Sequence, residues 1–328
     1  MTDDPAGIPL PISLDEVLSA RDRIAPYLTP TPLRNYPELD AAVGGDVRIL
    51  VKHENHQPTN AFKIRNALSA LSVLSKDQRT RGVVGASTGN HGLGLAYAGR
   101  ALGISTTVVV PVHNNADKNS GMRALGARLT EHGENYDAAA AEADRLCAEE
   151  GLTLIHSTNN REVLAGAATI TLEVLDQANE LDAMVLAVGG GSQAVGAITV
   201  LSALRPDVRV FGVQAEGAPT GFESWKAKRP VPRTAPRTIA DGIATGSTYE
   251  MTFSTLCDGL AGFVLVSDDD IVDAMRLLIR HTHNLVEPAG AAGLAGLIKL
   301  REEFVGKTVC VVITGGNIDE PTLRRVVN

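Results

Sequence analysis

The stretch TNAFKIRNA, residues 59–67, sets one lysine, Lys63, between Phe62 and Ile64, directly after the turn signal QPTN. A solvated lysine in the first turn of a helix accounts for this, unless the rest of the chain supplies a reason to desolvate an amine. Burial between apolar neighbours lowers an amine's pKa toward neutrality, which makes it a nucleophile or a base.

Four turns of small residues offer that reason: STGNHG (residues 87–92), GGGSQ (189–193), QAEG (214–217) and TGGN (314–317). Each follows an apolar run, and open parallel sheets bind ligands outside the carboxyl ends of their strands. Any one of them could be only a glycine turn. Together they fit a ligand with several polar handles. VGGGSQAVG leaves backbone N–H donors free just before a helix, an arrangement that suits a phosphate. Gly189, Gly191 and Ala194 also satisfy the G-x-G-x-x-A dinucleotide fingerprint, with Glu216 placed to hold a ribose. Lys63 decides between the two readings. A phosphate site, a desolvated lysine and a polar turn are what an aldehyde cofactor with a phosphate tail requires, and a nicotinamide oxidoreductase leaves the lysine without a task.

The elements that must position these residues alternate. GVVGAS, STTVVVP (105–111), LTLIHS (152–157), AMVLAV, VRVFGV, GFVLVS and KTVCVVI read as strands, most of them followed by a helical pattern. Ser267 reads as an N-cap, with Asp270 completing a box-like start. Alternating strands and helices imply βαβ units, and near-continuous Val/Ile/Leu strands imply sheets covered on both faces. The expected class is α/β, with two lobes, each a mostly parallel sheet flanked by helices. The small lobe spans 82–157, and the large one spans 1–81 with 158–328. A Pro-, Lys- and Arg-rich stretch at 218–247 reads as a long surface connection.

Composition sets bounds. The chain has 328 residues, 44% of them hydrophobic, 21% charged and 4% aromatic. A net charge of −8 argues against nucleic acid, which needs a basic stripe. No apolar run reaches the ~18 residues of a membrane helix, and the acidic start is unlike a signal peptide. Cys147, Cys257 and Cys310 are sparse and form no CxxC pair, as fits reduced thiols in a cytoplasm. Cys310 reads as a buried strand residue.

In their order along the chain, TPTPL, PTNAFKIRNA, STGNHG, VGGGSQ, TIADG, VEPAGAAG and TGGN resemble the fold type II (tryptophan synthase β-like) pyridoxal-phosphate enzymes. Among these, the threonine/serine dehydratases and serine racemases are most similar, over nearly the whole chain after about residue 15. The resemblance implies pyridoxal 5′-phosphate as cofactor, an amino acid as substrate and a homodimer. Lys63 would be the Schiff-base lysine, with Phe62 beside the cofactor. Asn90 would hydrogen-bond the ring's 3′ oxygen. Gly189, Gly190, Gly191, Ser192 and Gln193 would cradle the phosphate, and Thr314 would meet the pyridine nitrogen. Ser87, Thr88, Gly89, Asn90 and His91 would grip the substrate carboxylate, largely through backbone N–H groups, while Gly242 and Glu287 would line the pocket. The implied reaction is loss of the β-hydroxyl from L-threonine, L-serine or a similar amino acid, giving a 2-keto acid and ammonia. Racemisation and a hydroxyectoine-utilisation-type dehydration are the alternatives. Because the chain ends soon after TGGN, the regulatory domain of some threonine dehydratases is expected to be missing, and with it feedback by isoleucine.

Departures from the family's pattern matter. Asn66 replaces a usual glycine, so the turn beyond the lysine is expected to differ. Ser192 and Gln193 interrupt what is often a fourth glycine and an apolar residue. Thr88 stands where racemases carry a second catalytic hydroxyl, and its methyl is expected to be held in packing. Glu216 matches one ligand of a cation site known in some relatives, but Phe222 stands where the acidic partner belongs and Glu223 is out of register, so no metal is expected. His53 and His56 lack a third ligand. His281 and His283 read as surface or partly buried structural residues.

Overall fold

The computed structural model describes residues 2–3 and 7–328. Its strands are, in chain order, β1 (Thr2–Asp3), β2 (Pro9–Leu10), β3 (Leu33–Asn35), β4 (Arg48–His53), β5 (Val83–Ala86) and β6 (Thr106–Val110). They continue with β7 (Arg128–Glu131), β8 (Thr153–Leu154), β9 (Ala183–Ala187), β10 (Arg209–Ala215), β11 (Gly262–Val266) and β12 (Thr308–Ile313). β1 and β2 form an antiparallel ribbon. A six-stranded sheet runs β11-β10-β9-β12-β4-β3, in which only β3 is antiparallel to its neighbour. A four-stranded sheet runs β7-β6-β5-β8, parallel throughout. The α/β architecture expected from the alternation is present.

The pleat sorts the strand residues into two cores. Val309 and Val311 of β12 pack with Ile49, Val51, Val185 and Phe211 on one face, beneath Ile271, Met275 and Leu278 of helix Asp268–Thr282. Cys310 and Val312 pack with Leu50, Met184 and Leu186 on the other, beneath helices Arg161–Gln177 and Ser192–Leu204. Both faces are dry, so β9 and residues 309–313 of β12 are unbroken apolar runs. Cys310 is fully buried, which pushes its thiol up to about 12. Ser267 caps helix Asp268–Thr282 through a complete capping box with Asp270.

Two local expectations are corrected. β8 uses only two residues of the 152–157 run, because the next carbonyl, that of Ile155, is taken by the His91 ring at 3.0 Å. The 218–247 stretch is not merely a surface connection. It begins with helix Thr220–Ala227 and is then tied back by Thr234 N–H to Gly246 O and Arg237 N–H to Gly217 O, so that residues 233–236 line a cavity.

Helix Lys63–Ser72 wedges between helices Asn90–Leu102 and Arg161–Gln177. A Cβ on Gly94 would lie 2.8 Å from the Lys63 carbonyl oxygen, and one on Gly166 would lie 2.5 Å from that of Arg65. These backbones touch, so only glycine fits at the crossings. Asn66 lies inside this helix, fully buried, and the turn expected beyond the lysine does not exist. Among the described residues both atoms of the Asn66 amide lack a hydrogen-bond partner, and we have no physical account of that. No helix among the described residues is long and apolar enough to cross a membrane.

Candidate active site

The strand order explains why distant loops meet. β9 leads toward β10 on one side, while β12 and β4 lie on the other, so the reversal of strand order falls between β9 and β12. GGGSQ leaves β9, TGGN leaves β12 and the lysine segment leaves β4, at three neighbouring carboxyl ends. An isolated bridge, Ala61 to Gly315, fastens the last two together, with Phe62 N–H donating to Thr314 O at 3.0 Å. From the smaller sheet, β5 delivers STGNHG to the opposite wall.

The result is one cavity of about 1090 Å³. Its wall includes Phe62, Lys63, Ser87, Thr88, Gly89, Asn90, His91, Gly189, Gly190, Gly191, Ser192, Gln193, Gly242, Glu287 and Thr314. Every residue singled out for the cofactor or the substrate is therefore in one place. Glu216 is not. It is exposed outside the cavity with Lys299 Nζ 3.5 Å from its carboxylate, and Gln214, two residues before it, is buried with its side-chain Oε1 accepting from Phe222 N–H. The QAEG turn is therefore structural, and the ribose-holding acid of the dinucleotide reading is lost. His53 and His56 stack on each other, with His53 bonded to the Tyr36 hydroxyl at 2.9 Å. His281 is partly buried near Glu38, and His283 closes its helix in the left-handed region. Among the described residues, no three His, Cys, Asp or Glu side chains gather as a metal site.

Lys63 Nζ sits 3.5 Å from the Ser157 carbonyl oxygen and 4.8 Å from the Phe62 ring centroid. Burial pulls its pKa down to about 8. Thr314 is buried at the end of β12. Asn90 is held on two sides: its Nδ2 donates to Glu287 at 2.7 Å and its Oδ1 accepts from Asn317 at 2.7 Å. Burial pushes Glu287 up, against the opposing pull of the Asn90 N–H.

In the loop 87–92 the side chains play different parts. The Ser87 hydroxyl accepts from Gly89 N–H at 3.1 Å and Gly92 N–H at 2.9 Å, so it shapes the loop and is not free to grip a ligand. The His91 ring is committed to Ile155 O, and burial drags its pKa to about 3. Only the His91 backbone can face a ligand. Thr88 is exposed at the rim, and its methyl is not held in packing as expected.

GGGSQ forms a tight cup. Gly191 has φ +94°, a conformation that L side chains rarely adopt. A Cβ on Gly190 would lie 2.1 Å from Thr158 Oγ1. Helix Ser192–Leu204 begins here without a side-chain cap, leaving its first N–H groups for an anion. Gln193 is buried with both amide atoms unpaired among the described residues, as expected of a site built around a polar group.

Sequence reasoning missed the outer wall: Lys118, Asp137, Arg233, Asp241 and Tyr249. Of these only Asp241 lies in a quoted motif, TIADG, where Gly242 was singled out instead; the others reach the cavity only through tertiary packing. Asn317 did carry a signal, as the last residue of TGGN.

Comparison with known proteins agrees with this geometry. Residues 24–315 match the family described as pyridoxal-phosphate dependent enzyme. The chain is 36% identical to an L-threo-3-hydroxyaspartate ammonia-lyase of Pseudomonas sp., covering 94% of this chain and 96% of that one. It is 34% identical to an L-threonine ammonia-lyase of Thermotoga maritima, covering 97% and 78%. Among solved structures, maize serine racemase superposes with a TM-score of 0.91 at 29% identity, covering 96% and 97%. With the lysine, the glycine cup and the polar loop gathered in one cavity, the chain belongs to the fold type II pyridoxal-phosphate enzymes of the threonine dehydratase and serine racemase family, and pyridoxal 5′-phosphate is its cofactor.

Proposed function

We propose that the protein is an ammonia-lyase that removes the β-hydroxyl and the amino group from a small β-hydroxy amino acid, yielding a 2-oxo acid and ammonia. The observation that carries this reading is the Lys63 amine, half-buried in the cavity with its pKa lowered to about 8. The glycine cup at 189–193 would hold the cofactor phosphate, and Lys63 would hold its aldehyde carbon. When bound, the cofactor supplies an electron sink for the α-carbanion.

The remaining work falls to this chain. The N–H groups of Thr88, Asn90 and His91, at the start of helix Asn90–Leu102, would hold the α-carboxylate. Lys63 Nζ would take the α-proton. Thr314 would face the pyridine nitrogen with a hydroxyl, which could not protonate it as a carboxylic acid could, and that weaker sink would favour prompt loss of the β-hydroxyl. The small lobe, residues 82–157, would bring the loop 87–92 to the substrate. An oxo-acid assay over L-threonine, L-serine and L-threo-3-hydroxyaspartate tests this. No oxo acid from any of them would sink it.

The cup makes a separate prediction. Gly190→Ala should raise the dissociation constant for pyridoxal 5′-phosphate at least about tenfold, or ~1.4 kcal/mol, because its Cβ would collide with Thr158. Titration by visible absorbance measures this, and an unchanged constant would place the phosphate elsewhere.

Racemisation is the second reading, favoured by the likeness to a serine racemase and by the exposed Thr88 hydroxyl. It requires a proton donor on the face opposite Lys63, within about 3 Å of the α-carbon proton's path. The elimination reading expects oxo acid to exceed the opposite enantiomer. Thr88→Ala should lower the ratio of racemised to eliminated product, and Thr88→Ser should preserve or raise it. A chiral assay on L-serine that finds mostly D-serine in the wild type selects the racemase.

A further inference from the structure

The outer wall holds a cation without a task. Lys118 lies on helix Ala116–Ala124, and its side chain is only 18% exposed. Its Nζ would be 3.5 Å, and its Cδ 3.3 Å, from a Cβ on Gly89, so the ammonium rests against the loop that would take the substrate. Among the described residues its one ion partner is Asp241, at 3.8 Å, too far for a hydrogen bond. Asp241 is itself 73% exposed, and such a pair is weak and readily exchanged. A partly buried ammonium on the cavity wall with no hydrogen-bonded acceptor can take one from a ligand.

The α-carboxylate does not require this group. Among the described residues the Thr88 N–H has no acceptor, and those of Asn90 and His91 open a helix whose first N–H groups have no intrahelical partner. We infer that Lys118 binds a second anionic group, a carboxylate on the substrate's β-carbon, in place of Asp241. The preferred substrate class is then a 3-hydroxy dicarboxylic amino acid rather than threonine. This rests on the elimination reading and narrows it. Arg233 stands on the same wall in an exposed pair with Asp137 at 2.6 Å, whereas Lys118 is the more buried of the two, has no hydrogen-bonded acceptor and rests against Gly89.

The test uses the cofactor-loaded enzyme, with L-threo-3-hydroxyaspartate and L-threonine assayed side by side. The wild type should show the higher kcat/KM on 3-hydroxyaspartate. Lys118→Met should lower the ratio of kcat/KM for 3-hydroxyaspartate over threonine at least about tenfold, the loss lying in KM. Lys118→Arg should recover part of that ratio, and a merely structural lysine would not move it. Equal losses on both substrates would overturn the inference, assigning Lys118 to the α-carboxylate or to a latch with Asp241. A ratio unchanged by Lys118→Met would overturn it as well. In either case continued threonine turnover by the wild type leaves the elimination reading standing. Oxo acid from neither substrate sinks that reading, and this inference with it.

Discussion

Lys63→Ala is expected to lower turnover by about a thousandfold or more, since it removes both the covalent anchor of the cofactor and the base at the α-carbon. Borohydride reduction of the loaded wild type should fix the cofactor to Lys63 alone, as read by peptide mass spectrometry. The pKa supports the same assignment. The neutral amine is the nucleophile, and at pH 8 roughly half of an amine with pKa near 8 is neutral, against about 0.3% of an ordinary lysine amine. Cofactor attachment to the empty protein should therefore accelerate as pH rises through about 8 and level off well below 10.5. A label on another lysine, or a rate still climbing at pH 10, would mean that the cavity does not desolvate this amine.

Arg65→Met should produce the largest loss of stability, about 3–5 kcal/mol, because it strands the Glu54 carboxylate in the interior and leaves Glu173 with Lys52 alone. Arg65 is 1% exposed and bidentate to both partners. Its Nε and Nη2 donate to Glu54 at 2.7 and 2.9 Å, and its Nη1 and Nη2 donate to Glu173 at 2.6 and 2.8 Å. Lys52, fully buried, donates to Glu173 at 2.7 Å and to the Thr31 carbonyl at 2.7 Å. Burial alone would raise the pKa of Glu54, but the adjacent guanidinium outweighs burial and lowers it. Arg65→Lys should also be costly, since an ammonium cannot satisfy two carboxylates in this fork geometry. Urea unfolding of the cofactor-free protein measures the effect. A change below about 1 kcal/mol would mean that water reaches the pair.

Most of the chemistry was legible in the chain because it is local. A lysine between apolar residues, three glycines before a helix and a serine followed by an aspartate three places on each encode their geometry within a few residues. The long apolar strands and the Ser267 cap were readable for the same reason. The strands β3, β4 and β7 were not read: β3 has only three residues, β7 is mostly polar, and β4 takes its parallel pairing from distant β12.

Tertiary structure decided the rest, wherever a side chain's role depends on which partner packs against it. Arg65 looked like an ordinary helix residue until Glu54 and Glu173 arrived from two other elements. The tasks of the Ser87 hydroxyl and the His91 ring were set by the loop's own N–H groups and by the Ile155 carbonyl, which claimed them. Glu216 looked like a ligand residue, and the turn after β10 carried it outside the cavity. Lys118 carried no sequence signal, because its place beside Gly89 exists only once β5 and β6 pair in the smaller sheet and bring helix Ala116–Ala124 against the loop 87–92. Backbone shape is written in neighbouring residues. Side-chain partnership depends on distant ones, and a burial that leaves a cation without an acceptor shows only when both walls of the cavity are in place.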